Sequence, residues 1–270
     1  MTVRKVVSAD GTAIAYETRG AGPAVVLVGG ALMTGAESAE LAGLLAERFT
    51  VITYDRRGRG DSGDTAPYEP ARESEDLEAL IQGPAGGSAA LFGMSSGAVL
   101  ALEATARIGG AVTRLALYEP PFVTDGSRPP LPADYVAHLT ELIGREAYGD
   151  AVEYFMTAAV GVPAEFVAGM RQAPFWASME AVAHTISYDG RVMGDTMSGH
   201  PLPVDRWASV TVPVLVGSGD QGAPHILTGA RELAEAGDNF TLRVFPGEEH
   251  AIAPQVLAPV LADFFGAPAV

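Results

Sequence analysis

The stretch that most constrains this chain is Gly93-Met94-Ser95-Ser96-Gly97, set between an apolar run at residues 89–92 and a longer one at residues 98–104. The first run has the length of a buried strand, and the second has the composition of a buried helix. Strand, G-x-S-x-G, helix is the pattern of a strained turn that lifts a serine hydroxyl above the C-terminal edge of a sheet. The outer glycines have a steric job, because the turn crowds the backbone against the neighbouring strand and helix. Only Ser95 has glycine at both flanking positions; Ser96 would need them at Met94 and Ala98. With 32 glycines in the chain the same five residues could also be an ordinary strand-to-helix turn, so the decision rests on partners downstream.

Taken in order, residues 3–7 and 13–18 flank Asp10-Gly11, a hairpin signal between two strand-like runs. Ala24-Val25-Val26-Leu27-Val28 is continuously apolar and predicts a strand buried on both faces, ending in Gly29-Gly30-Ala31. A helix is expected over residues 40–48 and a strand over residues 50–54. That strand runs into Asp55-Arg56-Arg57-Gly58-Arg59-Gly60-Asp61-Ser62, which reads as a glycine-containing loop bracketed by salt-bridging Asp and Arg. Further helices are expected over residues 71–81, 226–236 and 254–265, and further strands over 115–118, 212–216 and 242–245. Between residues 122 and 206 strands vanish and helical patterns replace them, at 135–143, 150–158, 163–170 and 177–185. This predicts a core made of residues 1–121 and 207–270, with residues 122–206 as a helical lid inserted at the edge of the sheet where sites form.

The chain is 270 residues long and carries a formal net charge of −16, with Lys5 its only lysine. That balance argues against nucleic acid and anionic membranes as partners, and leaves a small molecule. The absence of cysteine excludes a disulfide framework and a thiolate metal site. No metal site or phosphate loop is recognisable, so no cofactor is expected. No apolar signal core or membrane-length run is present, which predicts a soluble, cytoplasmic protein. The sequence leaves the oligomeric state open.

Two residues downstream complete an acyl-transfer constellation. Asp220 follows the 212–216 strand in Gly217-Ser218-Gly219-Asp220, and His250 follows the last strand in Pro246-Gly247-Glu248-Glu249-His250. A serine hydroxyl needs a base to take its proton; an imidazole can take and return it, and a carboxylate fixes the imidazole's tautomer. The order Ser95, Asp220, His250 is the Ser…Asp…His order of such sites. Glu119 is the rival acid, because it too ends a strand; it reads as a structural carboxylate. His138 and His184 fall in the helical stretch and read as structural or lid-lining. His225 lies only five residues past Asp220.

With these landmarks in place the sequence resembles the α/β-hydrolase family over nearly all of the chain outside the 122–206 stretch. The Asp55 to Ser62 loop is similar to a D-x-R-G-x-G-x-S loop of that family, and Gly217 to Asp220 is similar to its acid loop. The resemblance implies an α/β fold with an eight-stranded, mostly parallel sheet flanked by helices and a helical lid. It also implies an oxyanion hole made by the backbone N–H groups of Ala31 and Ser96. Many members carry His-Gly where this chain has Gly29-Gly30, which leaves that loop less firmly held. Gly30, Met94, Phe122, Trp176, Met179 and Met193 are candidates to line an acyl pocket. The expected activity is cofactor-independent serine hydrolysis of an ester, lactone or thioester of a small apolar molecule. The same triad could instead serve C–C bond hydrolysis, a perhydrolase reaction, or a lyase or cyclase step, and a weakly hydrolytic ligand receptor is the remaining alternative.

Overall fold

The computed structural model describes residues 3–268. Its eight strands form one sheet in the order β1-β2-β4-β3-β5-β6-β7-β8. β1 (Arg4–Val7) and β2 (Ala13–Arg19) make the expected hairpin, with Val7 opposite Ala13 and Gly11 at φ 86° in the turn. β3 (Ala24–Val28), α1 (Ala39–Leu45), β4 (Thr50–Tyr54), α2 (Pro70–Gln82), β5 (Ala89–Met94), α3 (Ser96–Ile108) and β6 (Val112–Tyr118) follow. β2 pairs antiparallel with both β1 and β4, and every other pairing is parallel.

The continuous apolar run of β3 is explained by its two faces. Val26 and Val28 pack with Ile52, Leu91 and residues of α2 and α3 on one side. Val25 and Leu27 pack with Val51, Ala90, Phe92 and residues of α1 on the other. The chain crosses from β3 to β4 on one side and to β5 on the other, so the order reverses between β3 and β5. The loops after those two strands therefore part around a crevice, the place where open α/β sheets form sites.

After β6 come α4 (Tyr135–Gly144), α5 (Tyr148–Tyr154), a π-helical stretch (Phe155–Val160), α6 (Ala164–Met170), α7 (Trp176–Val182) and α8 (Ile186–Met193). α8 lies outside the helices expected from periodicity, because Ser187, Tyr188, Asp189 and Gly190 look like a turn. In the structure Asp189 is buried and charge-matched, so it suits a packed helix. Tyr135, Leu139, Val152, Val167, Trp176 and Ile186 build a small core of their own. Val192, Met193, Met197 and Leu202 belong instead to the main core beside the sheet. Then β7 (Val214–Gly219), α9 (Pro224–Ala234), β8 (Phe240–Phe245) and α10 (Pro254–Gly266) restore the alternation.

The arginine loop is more deeply built than a bracketed surface turn. Arg56, Arg57 and Arg59 are each 1% exposed. Their carboxylate partners come from other elements: Glu73 and Asp76 of α2, Asp10 of the β1–β2 turn, and Asp189 of α8. Asp55 accepts the backbone N–H groups of Gly35 and Asp61 instead. Among the described residues no helix is long and apolar enough to cross a membrane.

The turn at Ser95 depends on backbone contact. A Cβ on Gly93 would overlap the Gly97 carbonyl oxygen and the Ala98 Cα, and a Cβ on Gly97 would overlap the Val28 and Gly29 carbonyl oxygens. These obstacles are backbone and cannot swing aside. Gly97→Ala should therefore lower unfolding free energy by about 3 kcal/mol, the upper part of the usual overpacking range. An unchanged urea midpoint would contradict this packing.

Candidate active site

Ser95 sits between β5 and α3 with φ 55° and ψ −128°, a conformation rarely adopted by a residue with a side chain. Its own N–H donates to the Tyr118 carbonyl at 3.0 Å, which ties the turn to the end of β6. Ser96 follows as the first residue of α3, where a backbone N–H has no partner within the helix. Across the crevice Ala31 follows β3. Leu32 after β3 and Glu119 after β6 share the positive φ of Ser95, at 62° and 47°. Backbone strain is thus gathered at the ends of three adjacent strands, where sites store it.

One cavity of about 170 Å³ receives these elements. Ala31, Ser95, Ser96, Glu119 and His250 line it, so the serine, the imidazole and both candidate N–H loops face the same space. His250 Nδ1 lies 2.7 Å from Glu119 Oε2, where an Nδ1–H donates to the carboxylate and leaves Nε2 for another proton. The His250 loop is fixed from below, since the Tyr118 hydroxyl donates to the Glu249 carbonyl at 2.6 Å.

The acid expected from sequence is therefore misplaced. Asp220 is exposed, and its Oδ1 accepts from Gln221 Nε2 and from the Gly247 N–H, both at 2.8 Å. Those bonds hold its carboxyl below the usual aspartate range and turn it toward the β8 loop. Glu119, 1% exposed, takes the position beside the imidazole. It reaches there from β6 by crossing the end of β7, which is made of small residues. The Gly219 N–H donates to Glu119 Oε1 at 2.9 Å, and the Ser218 hydroxyl lies 3.4 Å from the same oxygen. Gly217-Ser218-Gly219 thus cradles the Glu119 carboxylate.

The profile of the "Alpha/beta hydrolase family" matches residues 25–262. The chain belongs to that family. Among solved structures it is similar to an alpha/beta hydrolase from Sphaerobacter thermophilus DSM 20745, at 53% identity and TM-score 0.89, covering 97% of this chain and 100% of that one. It also shares its fold with the enol-lactonase from Burkholderia xenovorans LB400, at 21% identity and TM-score 0.71, covering 98% and 100%. A curated relative, the uncharacterized hydrolase YraK of Bacillus subtilis (strain 168), is 34% identical over 113 residues. That alignment spans 41% of this chain and 42% of YraK, less than half of either.

Within this alpha/beta hydrolase several expected pocket residues lie elsewhere. Phe122 is fully buried and stacks on Trp207 at 5.9 Å, filling the main core. Trp176 is buried in the core of the helical segment, its indole N–H donating to Glu180. Met179 packs against that same small core, and Met94 packs under the sheet with α1 and α10. All four were read from hydrophobicity, which does not tell a cavity wall from a core. Gly30 touches the site through its backbone, since a Cβ there would stand 3.0 Å from Ser95 Cβ. Met193 lines the cavity, joined by Leu131, Phe155, Val160, Met197 and Ile226, which sequence reasoning did not single out.

His225, at the start of α9, is a polar wall residue also missed. Burial, with the nearby Arg128 charge, pushes its pKa down, which favours the neutral imidazole. Its spacing of five from Asp220 placed it on this edge of the sheet, though not on the cavity. His138 packs edge-on against Tyr154 in the helical segment, and His200 is exposed.

The His250–Glu119 bond has a direct signature. A downfield Nδ1–H proton resonance should appear in wild type, persist in Asp220→Asn, and vanish or move strongly upfield in Glu119→Gln. Its loss in Asp220→Asn alone would reverse the assignment.

Proposed function

We propose that the protein is a cofactor-independent serine hydrolase that cleaves an ester, lactone or thioester of a small, uncharged apolar acyl group. The observation that carries this reading is the buried Glu119 carboxylate bonded to His250 Nδ1 in the same cavity as Ser95. Ser95 Oγ attacks the carbonyl carbon while His250 Nε2 takes its proton. Glu119 holds the tautomer and stabilises the imidazolium that forms. The N–H groups of Ala31 and Ser96 receive the oxyanion, each contributing about 3 kcal/mol in the transition state. His250 then protonates the leaving group, and in the second half-reaction it activates water against the acyl-serine. Apart from substrate and the water of the second half-reaction, every group these steps require is a side chain or backbone amide of the chain.

The substrate class follows from the wall. Leu131, Phe155, Val160, Met193, Met197 and Ile226 give it an apolar surface, and its small volume suits a short acyl group. Among the described residues no arginine or lysine lines it. The guanidiniums of Arg56 and Arg59 are already matched by Glu73 and Asp189, and Arg128 spends Nη1 and Nη2 on the Ala159 and Ala158 carbonyls, so an acyl carboxylate would be buried beside Glu119 with no free guanidinium to bond it. Residues 122–206 supply much of this wall and act as the lid in this reading.

Short neutral esters such as butyryl should be hydrolysed well, while dodecanoyl esters and a succinyl ester carrying a free carboxylate should be at least about tenfold poorer. Glu119→Gln should lower kcat by about 10³–10⁴-fold, and Asp220→Asn by less than about threefold. Intact-mass spectrometry after treatment with an alkyl phosphonate ester should show one adduct, mapped to Ser95 and absent in Ser95→Ala. Folded wild-type protein that takes no label from several reagent sizes would overturn the hydrolase reading.

A further inference from the structure

We propose that Asp189, on α8 of the helical segment, is a positioning residue for the oxyanion hole, holding both N–H donor loops with one carboxylate. This rests on the serine-hydrolase reading above and concerns how its two backbone donors are aimed. Asp189 Oδ1 accepts the Ser96 hydroxyl at 2.7 Å and Arg56 Nη1 at 2.6 Å, and its Oδ2 accepts Arg59 Nη2 at 2.7 Å. The carboxylate thus grips the residue after the nucleophile directly, at the first position of α3.

The second loop is held through the arginines. Arg56 Nη1 lies 3.3 Å from the Gly29 carbonyl oxygen, while Arg59 Nη1 donates to the carbonyls of Gly30 at 2.6 Å and Met33 at 3.0 Å. The Gly30 carbonyl and the Ala31 N–H belong to one peptide unit, and in a trans peptide they point in opposite directions. Pinning the oxygen to Arg59 therefore aims the N–H away from Arg59. A cationic donor on that oxygen also polarises the peptide and strengthens its N–H as a donor. Gly29-Gly30 has no side chain with which to hold itself, so this anchoring comes from outside the loop.

Asp189 suits the task because it is fixed and ionised. It is 3% exposed. Burial alone would raise its pKa, yet the charges of Arg56 and Arg59 hold its carboxyl below the usual range. Arg56 is braced from its other side by Glu73, whose two oxygens accept Nε at 2.6 Å and Nη2 at 2.8 Å. Arg59 is braced in turn by the Thr185 hydroxyl, which accepts Nε at 3.0 Å, and Asp189 is the carboxylate that joins both arginines to Ser96.

The test uses Asp189→Asn together with Ser96→Ala, which removes only the hydroxyl link and leaves the ion pairs intact. Active sites are counted by phosphonate titration, so that a misfolded fraction does not distort the rates. Two neutral short-chain ketones are the probes. A trifluoromethyl ketone places an oxyanion on the two N–H groups when Ser95 adds to it, and the matching methyl ketone binds without forming one. Per active site, both variants should lose roughly 10- to 100-fold in kcat and in affinity for the trifluoromethyl ketone. KM and methyl-ketone affinity should change less than about threefold. A purely structural role would weaken both ketones alike, and that result overturns the proposal. So does wild-type kcat and trifluoromethyl-ketone affinity in folded Asp189→Asn, or in Ser96→Ala if Asp189→Asn does not fold. If wild type neither takes phosphonate nor binds the trifluoromethyl ketone, the hydrolase reading falls and this proposal with it.

Discussion

A buried guanidinium must find its counter-charge inside the protein, and three of them in one loop dictate much of this molecule. Arg56, Arg57 and Arg59 lie almost wholly out of water. Breaking one such pair costs about 3–5 kcal/mol, because the remaining partner is left charged and unsolvated. α2 must therefore present Glu73 and Asp76 to the loop, and α8 must present Asp189. The helical segment after β6 is consequently bound to the sheet by matched charge as well as by apolar contact. The stacked Tyr68 and Tyr188 rings, 3.7 Å apart, seal the same seam, with their hydroxyls donating to Glu73 and Asp64.

The site inherits its order from that arrangement. The sheet reversal between β3 and β5 sets two loops on either side of a crevice, and the glycine-lined turn lifts Ser95 into it. Strand order then brings β6, β7 and β8 side by side, so residues following β6 and β8 can meet only across the end of β7. Glu119 makes that crossing because β7 ends in residues too small to block it. The positive φ of Glu119 is part of the same geometry, turning the backbone so that the side chain runs across the sheet edge.

Much of this was legible in the residues. The apolar run of β3, the hairpin at Asp10-Gly11, and the positions of Ser95 and His250 after strand-like runs all follow from local chemistry. The carboxylate beside His250 did not follow, because two carboxylates end neighbouring strands and sequence spacing does not say which one turns inward. Asp220 carried the expected motif, yet its carboxylate is spent on the Gly247 N–H. α8 was missed for a related reason: Ser187, Asp189 and Gly190 look like solvent-facing turn residues until Arg56 and Arg59 are placed beside them. The cavity wall was the least legible part, since Trp176 and Met193 are equally apolar and only packing separates a core residue from a lining one.

The separation of Asp220 from the imidazole has a consequence for how this protein can change. In the reading above the segment from Asp220 to Ala223 carries no group that takes part in the chemistry, although it leads directly into His225 and Ile226 on the cavity wall. Asp220 and Gln221 are tied to Gly247 and Glu248 of the His250 loop, so it is side-chain substitution at Ala223, which lines the cavity, that can reshape the wall while Ser95, His250 and Glu119 stay where they are. In that reading the rim of the cavity holds a position in reserve, open to new specificities without first surrendering the old reaction.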